Sequence, residues 1–375
     1  MKIVFLRSNP VNPDPRVQKE VNSLLKEKHV INILAWDRDK DYSVNSEKIK
    51  MNNGECKITR FGIRSTFGAG FKKNLMPLIR FQICLLKWLI KNRGEYDIIH
   101  ACDFDTVIPA YVCKKLFGKK YIYDIFDYYV DAYSVPNKIK GFIQKIDHIM
   151  INNSDATIIC TEERRKQIKG ASPKKIEVIH NSPNKFNISN NNNLKLNEDK
   201  VKIVYVGILN DGRYIIELAE VIKDMEECEF HIGGFGKLEN QIRELASRYP
   251  NIKFYGKLPY DKTLELESQC DIMTAIYDPS ISNHYYAAPN KFYEALMLGK
   301  PLIMIKNTGM DKVISENKIG EVTEFNKQSI EKAIKNIIAN KDKWQDISKK
   351  MKEIYDSEYS WDIMEKRIQA LYKDI

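Results

Sequence analysis

The chain has 375 residues, which is long for one hydrophobic core and favours two domains. Hydrophobic residues make up 43% and charged residues 29%, a composition typical of a folded globular protein that excludes a wholly disordered chain. The net charge of +10 suits either a solvated surface or an anionic partner, such as a phosphate-bearing substrate, a membrane surface or a nucleic acid.

Seven cysteines occur, none of them in a C-x-x-C pair, so the sequence disfavours a zinc site and a disulfide framework and favours a reducing compartment. The N-terminal stretch lacks the apolar run and cleavage site of a signal peptide. No uncharged apolar run approaches the roughly 20 residues needed to span a bilayer. We therefore expect a cytoplasmic protein, either soluble or peripheral on the inner face of the cell membrane.

Short apolar runs alternate with helical patterns in the first half of the chain. A strand over 2–6 is followed by a proline-rich loop, a helix over about 16–28 and a strand over 30–36. Further strands are predicted over 97–101, 120–125, 156–160 and 176–180. This alternation predicts βαβ units and a parallel sheet.

An asparagine-rich stretch, 186–200, interrupts the alternation and predicts a linker. The alternation then restarts. Strands are predicted over 201–207, 229–234, 252–256, 271–277, 301–305 and 320–322, and helices over about 214–225, 238–248, 290–298, 327–340, 342–356 and 361–373. We predict an α/β fold with two doubly wound, Rossmann-like domains, 1–185 and 201–355, that face a central cleft, and a C-terminal helical segment over 356–375 that can cross back to the first domain.

Neither half carries the G-x-G-x-x-G of a dinucleotide site or a Walker-type phosphate loop, which argues against a nicotinamide cofactor. The second half instead has Gly207 at the end of its first strand, where a ligand can approach the backbone, and Arg213 soon after, where a guanidinium can clamp a diphosphate. A second glycine-rich turn, 232-IGGFG-236, ends the next strand. Taken alone, each feature fits an ordinary turn better than a ligand site.

The stretch 288-APNKFYEALMLGKPLI-303 predicts a short, mostly apolar helix that starts after Pro289 and ends at Gly299. Lys291 lies in its first turn and Glu294 one turn on, so a ligand at the helix N-terminus would meet both. The helix dipole and free N–H groups there favour a phosphate, and a carboxylate suits a pair of sugar hydroxyls. The alternative is a surface ion pair worth about 0.3 kcal/mol, which does not explain why the pair lies in an apolar helix.

This stretch resembles the donor-site motif of glycosyltransferase family 4 and its GT-B relatives. Agreement with the family continues in the family's order at 14–35, 97–110, 123–129, 204–213, 232–236, 252–258 and 271–279. The resemblance implies sugar transfer from a nucleoside diphosphate sugar, with Glu294 on the ribose hydroxyls and Arg213 and Lys291 on the diphosphate. It also implies a base near the backbone of Lys257 and Leu258 and room for the nucleotide at Gly234. Gly207 and Asn290 complete the predicted donor site.

Three positions depart from the family's pattern. Tyr286 stands where many members carry a second glutamate, Ile208 where many carry an arginine, and Phe126 where many carry a histidine. These departures leave the donor sugar and the stereochemical outcome open.

Three aspartates are candidates for the acceptor side. Asp103 and Asp105 follow the strand over 97–101, and Asp127 follows the strand over 120–125. Each can orient or deprotonate an acceptor hydroxyl. Capping of the following helix is an equally good explanation for each one taken singly.

The segment 71–93 combines leucines and a tryptophan with lysines and arginines, as in a helix that lies on an anionic membrane surface. Packing on the first sheet is the alternative. We expect the C-terminal part to pack and the N-terminal part to touch lipid.

Together these features predict a glycosyltransferase, hexosyltransferase-like, that acts on a glycan or lipid-linked acceptor in the synthesis of a cell-surface polysaccharide or glycolipid. We expect no metal and no cofactor beyond the nucleotide-sugar donor. The alternatives are a sugar-nucleotide epimerase of the GT-B type and a non-catalytic nucleotide-sugar-binding scaffold. A nucleic-acid partner is not expected, since no module of interleaved aromatic and basic residues accompanies the positive charge.

Overall fold

The computed structural model describes residues 1–41, 44–66, 71–133, 135–186 and 196–375. These residues form two compact units: unit 1 comprises Met1–His180 and Met364–Ile375, and unit 2 comprises Asn181–Ile363. Most of the predicted linker, residues 187–195, lies outside the described residues.

Unit 1 is built on one sheet. Its described strands are β1 (Lys2–Arg7), β2 (Val30–Asp37), β3 (Asn45–Met51), β4 (Gly54–Gly62), β5 (Ile98–Cys102), β6 (Lys120–Ile125), β7 (Ala156–Ile159) and β8 (Ile176–Val178). They lie in the order β3-β4-β2-β1-β5-β6-β7-β8, and all pairs are parallel except β3 with β4. The hairpin β3–β4 corrects the predicted pattern, which lacks both strands. Most of β3 is exposed and polar, so it shows no apolar run.

The helices of unit 1 cover this sheet. They are α1 (Pro15–Lys26), α2 (Phe71–Lys91), α3 (Phe104–Phe117), α4 (Tyr129–Ala132) and α5 (Asn137–Asn153). Local chemistry explains the start of α1, because the Asp14 carboxylate accepts a hydrogen bond from the Val17 backbone N–H at 3.2 Å and Pro15 fits the first helical position. Val17, Val21 and Leu24 then bury one face of the helix.

Unit 2 contains a second parallel sheet. Its described strands are β9 (Val201–Ile208), β10 (Cys228–Phe235), β11 (Ile252–Phe254), β12 (Ile272–Ala275), β13 (Leu302–Ile305) and β14 (Gly320–Thr323). They lie in the order β11-β10-β9-β12-β13-β14. Every strand predicted for this half is present with slightly different bounds, because strands buried on both faces read as continuous apolar runs.

The helices after β9 are more numerous than predicted. They are α6 (Ile215–Ile222), α7 (Glu239–Arg248), α8 (Tyr260–Gln269), α9 (Ser282–Tyr285), α10 (Asn290–Leu298), α11 (Asp311–Asn317), α12 (Lys327–Ala339), α13 (Trp344–Ile354) and α14 (Trp361–Asp374). Helix α8 is absent from the predicted pattern. Two of its buried positions are carboxylic acids, Glu265 and Glu267, which break the apolar period expected of a packed helix.

The core of unit 2 lies on both faces of its sheet. Ile203 belongs to the cluster on one face and Val204 to the cluster on the other, since successive side chains of a strand alternate. The second cluster includes Phe292 and Leu296 of α10. This packing fixes the first turn of α10 beside the carboxyl end of β9.

Candidate functional site

A cavity of about 210 Å³ opens in unit 2 at the carboxyl ends of β9 and β10, beside the first turn of α10. Six of the seven predicted donor-binding residues line it, namely Gly207, Gly234, Leu258, Asn290, Lys291 and Glu294. Ile208, Phe235 and Lys257 add an apolar and basic rim. The carboxyl edge of a parallel sheet is where ligands bind in open α/β folds.

Two glycines keep the floor of this cavity open. Gly207 and Gly234 are register partners on β9 and β10. A Cβ at Gly234 would lie 1.8 Å from the Gly207 carbonyl oxygen, and one at Gly207 would lie 2.6 Å from Lys291 Nζ. Gly234 also has a φ of +135°, which side-chain-bearing residues rarely adopt. The strands can approach so closely only with glycine at 234, and a Cβ at 207 would displace the Lys291 ammonium group.

Lys291 is a buried cation. Its side chain is 8% exposed, and Nζ lies 4.5 Å from the centre of the Tyr205 ring. Burial alone would lower the pKa of Lys291, but the nearby Tyr205, Tyr277 and Glu294 outweigh it and raise the pKa above its ordinary value. A full positive charge is thus held at the N-terminal turn of α10, where the helix dipole already favours an anion.

Glu294 lies one turn further along α10 and is 4% exposed. The Tyr260 hydroxyl donates a hydrogen bond to its carboxylate, and burial together with this carboxylate raises the pKa of Tyr260. The cavity therefore combines a cation, a carboxylate and a helix N-terminus, which are the groups needed to hold a diphosphate next to a diol.

Arg213, the seventh predicted residue, does not line the cavity. Its guanidinium lies 3.9 Å from the centre of the Tyr277 ring, and its buried Nη1 has no hydrogen-bond partner among the described residues. Tyr277 also lies close enough to Lys291 to raise its pKa. Tyr277 therefore lies close to both Arg213 and Lys291. Sequence reasoning missed this arrangement because Tyr205 and Tyr277 fall within apolar runs typical of a core.

In unit 1 the three candidate aspartates lie near one another at the carboxyl edge of β5 and β6. Asp103 accepts hydrogen bonds from the backbone N–H groups of Phe126 and Asp127, at 2.9 and 3.2 Å, and from Arg7 at 2.5 Å. Its side chain makes no cap for α3, and its φ of +66° is unusual for a residue with a side chain. Asp103 thus fixes the loop after β6, and both of its carboxylate oxygens are engaged.

Asp105 and Asp127 differ in their surroundings. Asp105 is 5% exposed, the Ser8 hydroxyl donates a hydrogen bond to it, and burial together with the nearby Asp103 raises its pKa to about 6. Asp127 is exposed and pairs with Arg164 at 3.1 Å. A pKa of about 6 suits Asp105 to accept a proton near neutral pH.

Two arginines that sequence reasoning missed flank this edge. The guanidinium groups of Arg7 and Arg16 lie 4.2 and 3.8 Å from the centre of the Phe126 ring. The signal that could have found them is their position at the two ends of the loop 7-RSNPVNPDPR-16, which follows the first strand. Phe126 stands where many family members have a histidine. Two arginine guanidinium groups lie against its ring.

One group of described residues has the ligand types of a metal site: His100, Cys102 and Asp124, all buried. The Arg16 guanidinium already binds the Asp124 carboxylate at 2.6 Å, and the Tyr372 hydroxyl contacts His100 Nδ1 at 2.7 Å. The remaining imidazole nitrogen, His100 Nε2, contacts the other carboxylate oxygen of Asp124 at 3.2 Å, and the arginine charge opposes a cation. We interpret the group as a structural network.

Two larger cavities, of about 450 and 640 Å³, lie along β14. Solvated charges such as the exposed Lys306–Glu324 pair line the larger one. Neither lining contains a predicted donor-site or acceptor-site residue, so the smaller cavity at α10 is the better candidate.

Residues 187–354 match the sequence profile of the glycosyl transferases group 1 family. This match lies within unit 2. The predicted resemblance to GT-B glycosyltransferases is confirmed, as is sugar transfer as the general activity. Assignment to family 4 and transfer of a hexose stay predictions. No curated protein sequence matches this chain.

Solved structures agree on the fold over the whole chain. Sucrose-phosphate synthase from Thermosynechococcus elongatus superposes with a TM-score of 0.78 at 15% identity, covering 100% of this chain and 99% of that one. Anabaena HepE in complex with UDP gives 0.73 at 14% identity, with both chains fully covered. The catalytic domain of starch synthase IV from Arabidopsis thaliana, bound to ADP and acarbose, gives 0.70 at 11% identity, covering 100% and 99%. The predicted GT-B fold, with two Rossmann-like domains, is confirmed.

Proposed function

We propose that this glycosyltransferase moves a sugar from a nucleoside diphosphate sugar to a hydroxyl group of a glycan or lipid-linked acceptor, in the synthesis of a cell-surface polysaccharide or glycolipid. The observation that carries the proposal is the cavity at α10, where Lys291 and Glu294 are both buried and both line the same space. A buried cation at a helix N-terminus favours the diphosphate, and a buried carboxylate one turn away favours the ribose hydroxyls.

Two of the similar structures guide the choice of donor to test. HepE has been solved with UDP and with UDP-glucose, and starch synthase IV with ADP. The exposed Phe235 and Ile208 offer apolar surface at the mouth of the cavity of this chain, which fits a nucleobase without selecting one. UDP- and ADP-sugars are therefore the first donors to try.

On the acceptor side, we propose that Asp105 receives the proton of the attacking hydroxyl. Both carboxylate oxygens of Asp103 are engaged with backbone N–H groups and Arg7, and Asp127 is held by Arg164. Asp105 is buried and has a pKa of about 6, so it is ionised at neutral pH and still basic enough to help deprotonation.

The test incubates the protein with a panel of nucleoside diphosphate sugars and with sugar and lipid-linked acceptors. Turnover is measured as release of the nucleoside diphosphate and by mass analysis of the acceptor. We expect one donor to yield a glycosylated acceptor and Asp105→Asn to reduce that yield at least about a hundredfold. An epimerised nucleotide sugar without acceptor product would instead indicate the epimerase. Binding without any turnover would indicate the scaffold.

We also propose that unit 1 binds an anionic membrane surface through α2. Phe81, Leu85 and Leu89 bury one side of this helix, as expected for its C-terminal part. Large apolar side chains remain exposed on the N-terminal part, namely Leu75, Met76 and Ile79, and Ile83 is exposed just past the midpoint of the helix. Lys73, Arg80 and Lys87 are exposed on the same helix. Apolar side chains beside cations match the interface of an anionic bilayer.

Within the described residues, no helix has the length and apolar character needed to cross a membrane. Co-sedimentation with anionic and neutral vesicles tests the proposal. Reversal of Lys73, Arg80 and Lys87 to Glu should release the protein, since each cation near an anionic surface contributes about 1 kcal/mol. The matched control reverses Lys48, Lys50 and Lys57, three exposed lysines on the hairpin β3–β4 of the same unit. Equal release by both variants, or no binding by wild type, would contradict the proposal.

A further inference from the structure

Four neighbouring strands of unit 1 bring further side chains to the edge where Asp105 lies. The strands β2, β1, β5 and β6 lie side by side in the sheet. Arg38 directly follows β2, Ser8 directly follows β1, and Asp105 lies in the first turn of the helix after β5. After β6, Tyr129 begins α4 and Tyr133 directly follows it. Because ligands bind at this edge of open α/β sheets, these side chains are candidates to hold the molecule on which Asp105 acts.

Ser8 holds Arg38 next to Asp105. The Ser8 carbonyl oxygen accepts hydrogen bonds from Nε and Nη2 of Arg38, at 3.2 and 3.0 Å, and the Ser8 hydroxyl donates one to the Asp105 carboxylate. The Arg38 guanidinium also lies 3.8 Å from the centre of the Trp36 ring. These contacts fix the orientation of the guanidinium beside the proposed base.

The charge of Arg38 is not neutralised by a carboxylate in direct contact. At the same edge, Arg7, Arg16 and Arg164 each pair with an aspartate, at 2.5, 2.6 and 3.1 Å. Arg38 forms no such pair among the described residues, and its Nη1 donates to the Ser65 hydroxyl at 3.3 Å. One N–H on each nitrogen of Arg38 is therefore used, and the second N–H groups of Nη1 and Nη2 remain for a ligand. A guanidinium in this state favours a phosphate or a carboxylate.

Two tyrosines provide an aromatic surface near Asp105. The ring of Phe104, the residue before Asp105, lies 5.0 Å from the Tyr129 ring, and the Tyr129 ring lies 4.7 Å from that of Tyr133. Tyr129 is buried, whereas Tyr133 is 49% exposed. Both tyrosines also lie close enough to Arg38 to influence its pKa. Since the C–H faces of a sugar pack on aromatic rings while its hydroxyls reach nearby polar groups, this surface suits a sugar.

We propose that Arg38, Tyr129 and Tyr133, together called the acceptor surface, bind the acceptor, and that the acceptor carries a phosphate or carboxylate group on or next to the sugar that packs on the tyrosines. This inference rests on the proposed function, because it takes Asp105 to receive the proton of the acceptor hydroxyl. The phosphate of a lipid-linked sugar and the carboxylate of an acidic glycan both suit Arg38, since a guanidinium binds either group through paired hydrogen bonds.

The experiment measures binding of small acceptor analogues to the full chain by ligand-observed NMR. The anionic probes are glucose 1-phosphate, galactose 1-phosphate, glucuronic acid and galacturonic acid, and the neutral probes are methyl glucoside and methyl galactoside. At least one anionic probe should bind about tenfold more tightly than its neutral counterpart, as expected for hydrogen bonds to a charged group. Preference for the sugar phosphates would indicate a lipid-linked acceptor, and preference for the uronic acids an acidic glycan.

Three variants separate the parts of the acceptor surface. Arg38→Met should weaken binding of the anionic probe about tenfold and leave the neutral probes unchanged, because it deletes the charge and keeps an apolar side chain against Trp36. Arg38→Lys keeps the charge but loses the planar pair of donors, so its affinity should fall between wild type and Arg38→Met. Tyr133→Ala should weaken anionic and neutral probes alike, and its half-exposed position protects the fold if the Arg38 variants do not fold.

Two matched variants in unit 1 control for general effects. Arg93 also lies beside an aromatic ring, 5.8 Å from the centre of Phe117, and Arg93→Met should bind every probe as wild type does. Phe142 is 66% exposed, so Phe142→Ala controls for loss of an exposed ring and should also behave as wild type. Lys291→Met in unit 2 shows whether the sugar phosphates bind in the cavity at α10 instead.

Three results would overturn the inference. In the first, no anionic probe binds wild type more tightly than its neutral counterpart. In the second, a folded Arg38→Met variant keeps the wild-type affinity for the anionic probe. In the third, that affinity is lost in Lys291→Met and kept in Arg38→Met. None of these measurements needs a donor, so a failure to turn over any nucleoside diphosphate sugar would count against the proposed function and not against the binding results.

Discussion

Buried cations at the carboxyl edges of the two sheets have different surroundings. In unit 1, Arg16 binds both Glu20 and Asp124, at 3.1 and 2.6 Å, so that its charge is already used within the protein. In unit 2, Lys291 lies 4.5 Å from the centre of the Tyr205 ring and lines a cavity. Charges that neutralise one another support a fold, whereas a buried charge that faces open space is available to a ligand.

Breaking the paired network of unit 1 should have the largest effect. Arg16→Met leaves the buried carboxylates of Glu20 and Asp124 without their cation, and we expect a loss of about 3–5 kcal/mol in the free energy of unfolding. Chemical denaturation followed by circular dichroism measures this loss. The donor affinity of the folded fraction should not change, since the cavity belongs to unit 2.

The double variant Arg16→Met with Asp124→Asn is the control for this interpretation. Removing one of the two orphaned charges should recover part of the lost stability. If the double variant is less stable than Arg16→Met alone, the network is not held together by charge, and the comparison between the units fails for unit 1.

Removing the cation of unit 2 should affect binding more than stability. Lys291→Met keeps the apolar stem and deletes the charge, and we expect nucleoside diphosphate affinity to fall by roughly 1.5–3 kcal/mol, the range for hydrogen bonds to charged groups. Affinity for the matching nucleoside should fall far less. Arg213→Met should show the same difference if Arg213 reaches the diphosphate across Tyr277. Equal losses for both ligands would mean that these residues act on folding alone.

Removal of an exposed ion pair should have the smallest effect on the free energy of unfolding. Lys26 on α1 pairs with Glu365 on α14 at 2.5 Å, but the lysine side chain is 60% exposed. Lys26→Ala should therefore change the free energy of unfolding by only about 0.2–1 kcal/mol. A loss as large as that of Arg16→Met would show that burial is not what separates strong pairs from weak ones in unit 1.

The sequence predicted the parallel sheets and the position of α10 because their signals are local. Strands buried on both faces read as apolar runs, and Pro289 and Gly299 mark the ends of α10. The lining of the cavity followed from the rule that ligands bind at the carboxyl ends of parallel strands. These features depend on neighbours in the chain, which a sequence displays directly.

The features that escaped prediction depend on packing between distant residues. Helix α8 was missed because Glu267 lies on its buried side, and a buried acid cannot be told from an exposed one by its position in the sequence. Tyr205 and Tyr277 fall within predicted strands, and nothing in their sequence context shows that their rings lie beside Lys291 and Arg213. For the same reason the three aspartates of unit 1 looked equivalent, and only their hydrogen bonds separate Asp105 from Asp103.

The central claim is that the cavity at α10 binds the nucleoside diphosphate of a sugar donor through Glu294, and calorimetric titration with UDP and ADP tests it most directly. Wild type should bind at least one of them, and Glu294→Ala should bind it more weakly by roughly 1.5–3 kcal/mol, since a charged hydrogen bond to the ribose is lost. An unchanged affinity in a folded Glu294→Ala variant would contradict the claim.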